Sequence, residues 1–242
     1  MKKTSNMLMA ILVFALTIFV FNGTSILLSY VSVFFGVLLR GESGVSDTYY
    51  YLLGHQNLYS FLIYFTAFVL FALWYYFAVI QPRGLKPFLK TRTEGLSPAC
   101  FGWILLLAFA VQHLTSLVFT LIDMFSPAAV ENYSQMVETS GLTEYSFVWF
   151  LSTLILPPLT EEIIFRGLLL GYLKKTGIPF LAANLIQAVC FGIYHQNLAQ
   201  GIYTALLGFL LGYLAQRYGT LIAPMFLHFL YNLFGTVLVD LE

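Results

Sequence analysis

Hydrophobic residues along this chain gather in seven long runs, at about 7–39, 57–80, 99–122, 147–173, 179–195, 199–216 and 220–239. Each is near the ~20 residues an α-helix needs to cross the hydrocarbon core of a bilayer. Backbone polar groups in lipid must be satisfied within their own segment, so such runs predict helices. The expected fold is therefore all-α, a polytopic bundle of about seven transmembrane helices. The first run is overlong and interrupted by Asn22-Gly23-Thr24, so a single tilted helix and a tight hairpin both fit it. The fourth contains Pro157-Pro158 and is expected to be broken there, since proline removes a helical donor. Between the runs, 123–146 is acidic and polar, expected outside the membrane and partly helical. The segment from Gln81 to Pro98 is the one long basic loop, which either sets topology or lies on the interface. No repeat or low-complexity tract appears, so residues 1–242 read as a single transmembrane domain.

Composition agrees with this class. Of 242 residues 60% are hydrophobic and 9% charged, with mean hydropathy +0.84. A soluble domain carries about 25% charged residues. Net charge is zero, which leaves no electrostatic case for binding nucleic acid. Cys100 and Cys190 form no CxxC pair and give neither a metal nor a disulfide framework. Lys2 and Lys3 before an apolar run resemble a signal peptide, but the run is too long and no small-x-small cleavage site is clear. It reads as a retained first span.

Charge also chooses between the two forms of the first run. With one span there, Lys2, Lys3, Arg83, Lys86, Lys90, Arg92, Lys174, Lys175 and Arg217 share one side, nine of the 11 basic residues. The other side receives Glu42, Asp47, Asp123, Glu131, Glu138, Glu144, Asp240 and Glu242. A hairpin would separate Lys2 and Lys3 from the other basic groups. The positive-inside rule therefore gives seven spans in a cell membrane, with the N-terminus cytoplasmic and the C-terminus outside. The basic loop and short connections suit a bacterial inner membrane.

Three constellations could carry chemistry. The first is Leu156-Pro157-Pro158-Leu159-Thr160-Glu161-Glu162-Ile163-Ile164-Phe165-Arg166. Each buried charge there costs roughly 2.5–3.5 kcal/mol on insertion unless it is paired or wet. Thr160 is expected to cap a new half-helix with both carboxylates in its first turn. Glu162 and Arg166, four apart, share a face and can pair. Glu161 points about 100° away and is the carboxylate left for work. The second constellation is Phe191-Gly192-Ile193-Tyr194-His195, and the third is His228-Phe229-Leu230-Tyr231-Asn232, with His228 and Asn232 on one face. Depths counted from the basic ends at about 1.5 Å per residue put all of them inside the hydrocarbon core.

Carboxylate and imidazole around one water can deprotonate it for attack on a carbonyl. A second imidazole and an amide can donate to the oxyanion that forms. A zinc ion held by Glu161, His195 and His228 is the alternative, although HExxH is absent. The blander reading is an ion-pair cluster that only fixes helix packing.

At these residues the chain resembles the membrane-embedded CAAX proteases and bacteriocin-processing enzymes, the CPBP or Abi family. Its motifs EExxxR, FxxxH and HxxxN read here as Glu161-Glu162-Ile163-Ile164-Phe165-Arg166, Phe191 to His195 and His228 to Asn232. The resemblance covers roughly the C-terminal 100 residues, so 146–239 is the expected catalytic core. It implies an endopeptidase that cuts a peptide bond of a membrane-associated protein or peptide. Glu161 and His195 would activate water, His228 and Asn232 would form the oxyanion site, and Glu162 with Arg166 would brace it. No cofactor is required in that mechanism, and a metal stays open. Family members include processors of CAAX proteins, bacteriocin-processing or self-immunity proteins, and scaffolds without proteolysis.

Other chemistries carry less weight. Gly41-Glu42-Ser43-Gly44 looks like a rhomboid GxSG but lies in an outer loop. Cys190 and His195 are five apart and face differently. His113 either lines the cavity or bonds a neighbouring helix, and His55 sits in a loop. A proton-relaying transporter lacks inverted repeats.

Overall fold

The computed structural model describes residues 2–41, 43–88, 96–140 and 145–238. Glu42, Lys90, Arg92, Glu144, Asp240 and Glu242 lie outside them, as do the middle of the GxSG-like tetrapeptide and the last residue of the 146–239 core. Among the described residues the chain is helical throughout, an all-α polytopic bundle with no strand.

Helix α1 (Lys2–Arg40) is continuous, so the first run is one helix. At 1.5 Å per residue its 39 residues reach about 58 Å. Its far end is folded upon by α2 (Ser43–Leu53), held by Arg40 to Asp47 at 3.0 Å and Thr48 to the Ser32 carbonyl at 3.4 Å. Helix α3 (Gln56–Tyr75) runs on through wider and tighter turns to Arg83. Ser97-Pro98 starts α4 (Pro98–Phe125): Ser97 accepts from the Cys100 amide, and Pro98 takes a position whose donor would be orphaned anyway. The acidic stretch supplies α5 (Pro127–Thr139).

Helix α6 runs from Phe147 to Lys175, and α7 is Phe180–Tyr194. Asn197 caps α8 (Leu198–Tyr218), accepting from the Gln200 amide at 3.0 Å, and Gly219 ends it at φ 63°. Helix α9 (Ile222–Leu233) continues as a π-turn from Phe234 to Leu238. Among the described residues, five helices are long and apolar enough to cross a bilayer; α7 and α9 are apolar but shorter.

Helix α6 is the axis of the bundle. Within its apolar stretch 61% is buried, against 17% for α1, α3 and α4, whose outer faces meet lipid. One apolar cluster joins α1, α3, α6 and α7, and another joins α4, α8 and α9. Helices α7 and α8 pack backbone to backbone: a Cβ on Gly192 would strike the Gly201 carbonyl, and one on Gly212 would strike the Asn184 side chain.

The basic groups meet at one end. The Lys3 ammonium lies beside Gly177, Asn6 donates to the Lys175 carbonyl at 3.3 Å, and Arg83, Lys174 and Lys175 border one cavity.

The short helices set depth. Helix α7 starts at the basic end and turns back after 15 residues, about 22 Å. Gln196 closes the turn at φ 55°. Glu161 lies about the same distance from Lys175 along α6. Helix α9 starts below the basic surface. Leu221, just before it, packs on Gly167, about 12 Å from Lys175 along α6. His228 then falls about 10 Å further in, close to the level of Glu161.

Candidate active site

The prolines are accommodated without ending helix α6. An α-helical turn, Leu156–Glu161, carries them at its first positions, where missing donors cost least. It is flanked by π-helical stretches, Phe150–Ile155 and Glu162–Leu169. Such i→i+5 widening is frequent at functional sites. Thr160 does not cap a half-helix, contrary to expectation. It sits inside the helical turn, fully buried, and its hydroxyl has no partner. The helix restarts at Leu156, four residues earlier, because that is where the prolines fit.

Pro157 and Pro158 leave one consequence in the backbone. The Thr153 carbonyl would take an α-helical bond from residue 157 or a π-helical bond from residue 158, and neither has an N–H. Asn232 of α9 fills the gap, its Nδ2 donating to the Thr153 oxygen at 3.1 Å.

Glu161, Glu162 and Arg166 are 2%, 0% and 4% exposed, so their partners decide their state. Arg166 Nη1 donates to Glu162 Oε1 at 2.9 Å, and Nη2 to the Gly208 carbonyl at 3.1 Å. Its guanidinium also lies 4.4 Å over the Phe191 ring. His228 Nδ1 meets the same Glu162 oxygen at 2.9 Å. A carboxylate can only accept there, so Nδ1 carries a proton. His228 Nε2 faces Glu161 Oε2 at 3.6 Å, too far for a direct hydrogen bond. A single water that bonds both can bridge that gap.

The other oxygen of Glu161 accepts from Tyr64 of α3 at 2.7 Å, and Tyr194 donates to Tyr64 at 3.3 Å. His195, half-buried at the end of α7, donates from Nδ1 to the Phe191 carbonyl at 2.8 Å, which leaves Nε2 its lone pair. Glu161 and His228 are its electrostatic neighbours. Phe191 is the hub of this arrangement. Fully buried, it meets His195 and His228 edge to face, with centroids 4.9 and 5.9 Å away.

The fold thus gathers Glu161, Glu162, Arg166, His195 and His228, and sets Asn232 one turn beyond His228 against the start of α6. Sequence reasoning missed Tyr64 and Tyr194. It also missed a polar pair beneath them: Gln187 donates to the Gly208 carbonyl at 2.9 Å and to Asn184 at 2.8 Å, and Asn184 donates to the Phe209 carbonyl at 2.9 Å. Two amides three apart in an otherwise apolar helix were the available signal.

The remaining candidates stand apart. His113 faces outward and bonds its own helix at the Phe109 carbonyl, so it neither lines the site nor joins two helices. His55 bonds the Tyr51 carbonyl, Ser43 bonds the Arg40 carbonyl, and Cys100 and Cys190 are free thiols. Among the described residues no three His, Cys, Asp or Glu side chains are arranged to hold a metal ion. Glu161, His195 and His228 do not fit a zinc site in this arrangement, and no step below runs through a metal.

Comparison with known proteins adds to this geometry. Residues 143–234 match the family described as type II CAAX prenyl endopeptidase Rce1-like, a stretch that includes all three motifs. Over 89 residues the chain is 38% identical to the "Putative membrane peptidase YdiL" of Bacillus subtilis (strain 168). That match covers 36% of this chain and 35% of the relative, so about a third of the relative's length is spanned. No solved structure matches.

Proposed function

Taking residues 143–234 as a segment of the CPBP family of membrane endopeptidases, we propose that the chain hydrolyses a peptide bond of a membrane-associated protein or peptide, of CAAX type, inside a cell membrane. The observation that carries the reading is Glu161. It is a carboxylate midway along a buried helix, fixed through one oxygen by Tyr64 and facing His228 with the other.

Glu161 accepts a proton from a water lying between it and the imidazoles, and the hydroxide attacks the scissile carbonyl carbon. His195 offers the Nε2 lone pair as a second acceptor for that water. The tetrahedral oxyanion needs donors. Asn232 has a second amide hydrogen beyond the one given to Thr153. His228 donates when Nε2 also carries a proton, and the carboxylates beside its two nitrogens are the counter-charges such an imidazolium needs. The proton on Glu161 then passes to the departing amine, leaving one new carboxyl and one new amine. Glu162 and Arg166 hold His228 and α6 in register.

The substrate presents to the site from the membrane. The basic end of the bundle faces the cytoplasm by the positive-inside rule, and a bacterial cell membrane suits a relative from Bacillus subtilis. The test is hydrolysis of a fluorogenic membrane peptide by purified protein in detergent. Glu161→Gln is isosteric and should abolish turnover while the melting profile is kept. Wild-type rates from that variant would remove Glu161 as the base.

A further inference from the structure

The late start of α9 leaves a hollow at the basic end, an open cavity of about 320 Å³. It meets the active site only through Arg166, since Glu161, His195, His228 and Asn232 do not line it. We propose that this cavity binds the phosphate headgroup of an anionic phospholipid.

Charge is the first reason. Arg83 from the end of α3 and Lys174 and Lys175 from the end of α6 border the opening, and among the described residues no Asp or Glu lines it. Arg83 donates to the neutral Val79 carbonyl at 2.8 Å, and Lys175 lies 5.1 Å over the Tyr172 ring, so neither of these contacts cancels its charge. Place is the second. These residues end transmembrane helices, the depth at which lipid phosphates lie, and basic pockets between helices at that depth suit anionic headgroups.

Shape is the third. The inner wall is apolar, with Val79, Leu170 and Leu221 below the cations, and the volume falls within the range of small-molecule sites. Such a wall takes the glycerol and upper acyl carbons while the rim takes the phosphate. At its inner side stands Arg166, 4% exposed, whose Nε has no partner. A peptide carboxylate is less favoured, because a substrate chain must reach Glu161, and the Arg166–Glu162 pair separates the cavity from it.

The test needs no turnover and stands whether or not the chain is a protease. Purified full-length protein is titrated with fluorescent phosphatidylglycerol in phosphatidylcholine–detergent micelles, with fluorescent phosphatidylcholine as reference. The expected result is a clear preference for phosphatidylglycerol that falls roughly fivefold for each cation removed in Arg83→Gln and Lys175→Gln. Both side chains are exposed, so these variants should fold.

Gly171→Leu offers a second, uncharged route. Gly171 lines the cavity and a Cβ there would meet nothing within 4 Å, so the leucine fills space and should also erase the preference. Equal binding of both lipids would overturn the proposal, as would a preference that survives all three variants. Displacement by millimolar inorganic phosphate without lipid preference would reassign the site to a free anion. Displacement by a peptide with a free C-terminus, but not by its amide, would reassign it to substrate.

Discussion

Arg166→Met cuts the buried pair at its positive end while keeping a flexible apolar side chain in place. The structure lets the cost be itemised. Glu162 loses its 2.9 Å partner with both side chains wholly buried, and the His228 contact on the same oxygen stays. Breaking a buried pair from one side costs about 3–5 kcal/mol, mostly because a charge is left unpaired. The contact with the Phe191 face at 4.4 Å goes too and is contained within that range. The Gly208 carbonyl adds nothing, because Gln187 still donates to it at 2.9 Å.

For a chain of this size 1 kcal/mol moves the melting point by about 2–4 °C, so the shift should be roughly 6–20 °C. Thermal unfolding followed by tryptophan fluorescence at fixed detergent reads it. If the charge is the cause, Glu162→Gln added to Arg166→Met should restore half or more of the loss. A single variant melting within 2 °C of wild type, or a double variant melting no higher than the single, would refute the reasoning.

Other outcomes follow from the same contacts. Tyr64→Phe removes one hydrogen bond to a carboxylate, worth roughly 1.5–3 kcal/mol, so kcat should fall at least tenfold with KM little changed; an unchanged kcat would show that Tyr64 does not hold the base. Asn232→Ala should cost about 1–3 kcal/mol of stability by orphaning the Thr153 carbonyl. In a Pro157→Ala/Pro158→Ala background that carbonyl regains a helical donor, and a thermal double-mutant cycle should show the Asn232 effect largely gone; full additivity would dismiss the link. Gly212→Val should abolish folded protein on size exclusion, since its Cβ would strike Asn184, while Gly23→Ala, with open space around it, should leave the elution profile unchanged.

The bundle was legible because lipid imposes one rule on every span, and that rule writes itself as runs of apolar residues. The single first helix was legible only through charge, since Asn22-Gly23-Thr24 alone allows a turn. What escaped was whatever depends on a partner far along the chain. Tyr64 is one of 16 tyrosines, and nothing local marks it as the one that reaches Glu161 97 residues away. The prolines announced a disturbance but not its form, because the Thr153 carbonyl they free finds its donor in Asn232, 79 residues further on. Helix α7 looked long enough to span, since its apolar run continues into the turn. Asn197, the cap of α8, was the one residue that signalled an early stop.

That early stop has a consequence for the surrounding lipid. Leu181, Leu185 and Ile193 put α7 directly against acyl chains, yet the helix is about 8 Å shorter than a typical 30 Å hydrocarbon slab. Lipids along this flank must tilt and dimple to cover it, so the membrane is pinched beside the turn that carries His195. Bulk solvent is thereby brought nearer to the hydrolysis proposed for Glu161, and bilayers with shorter tails are the ones this flank fits best.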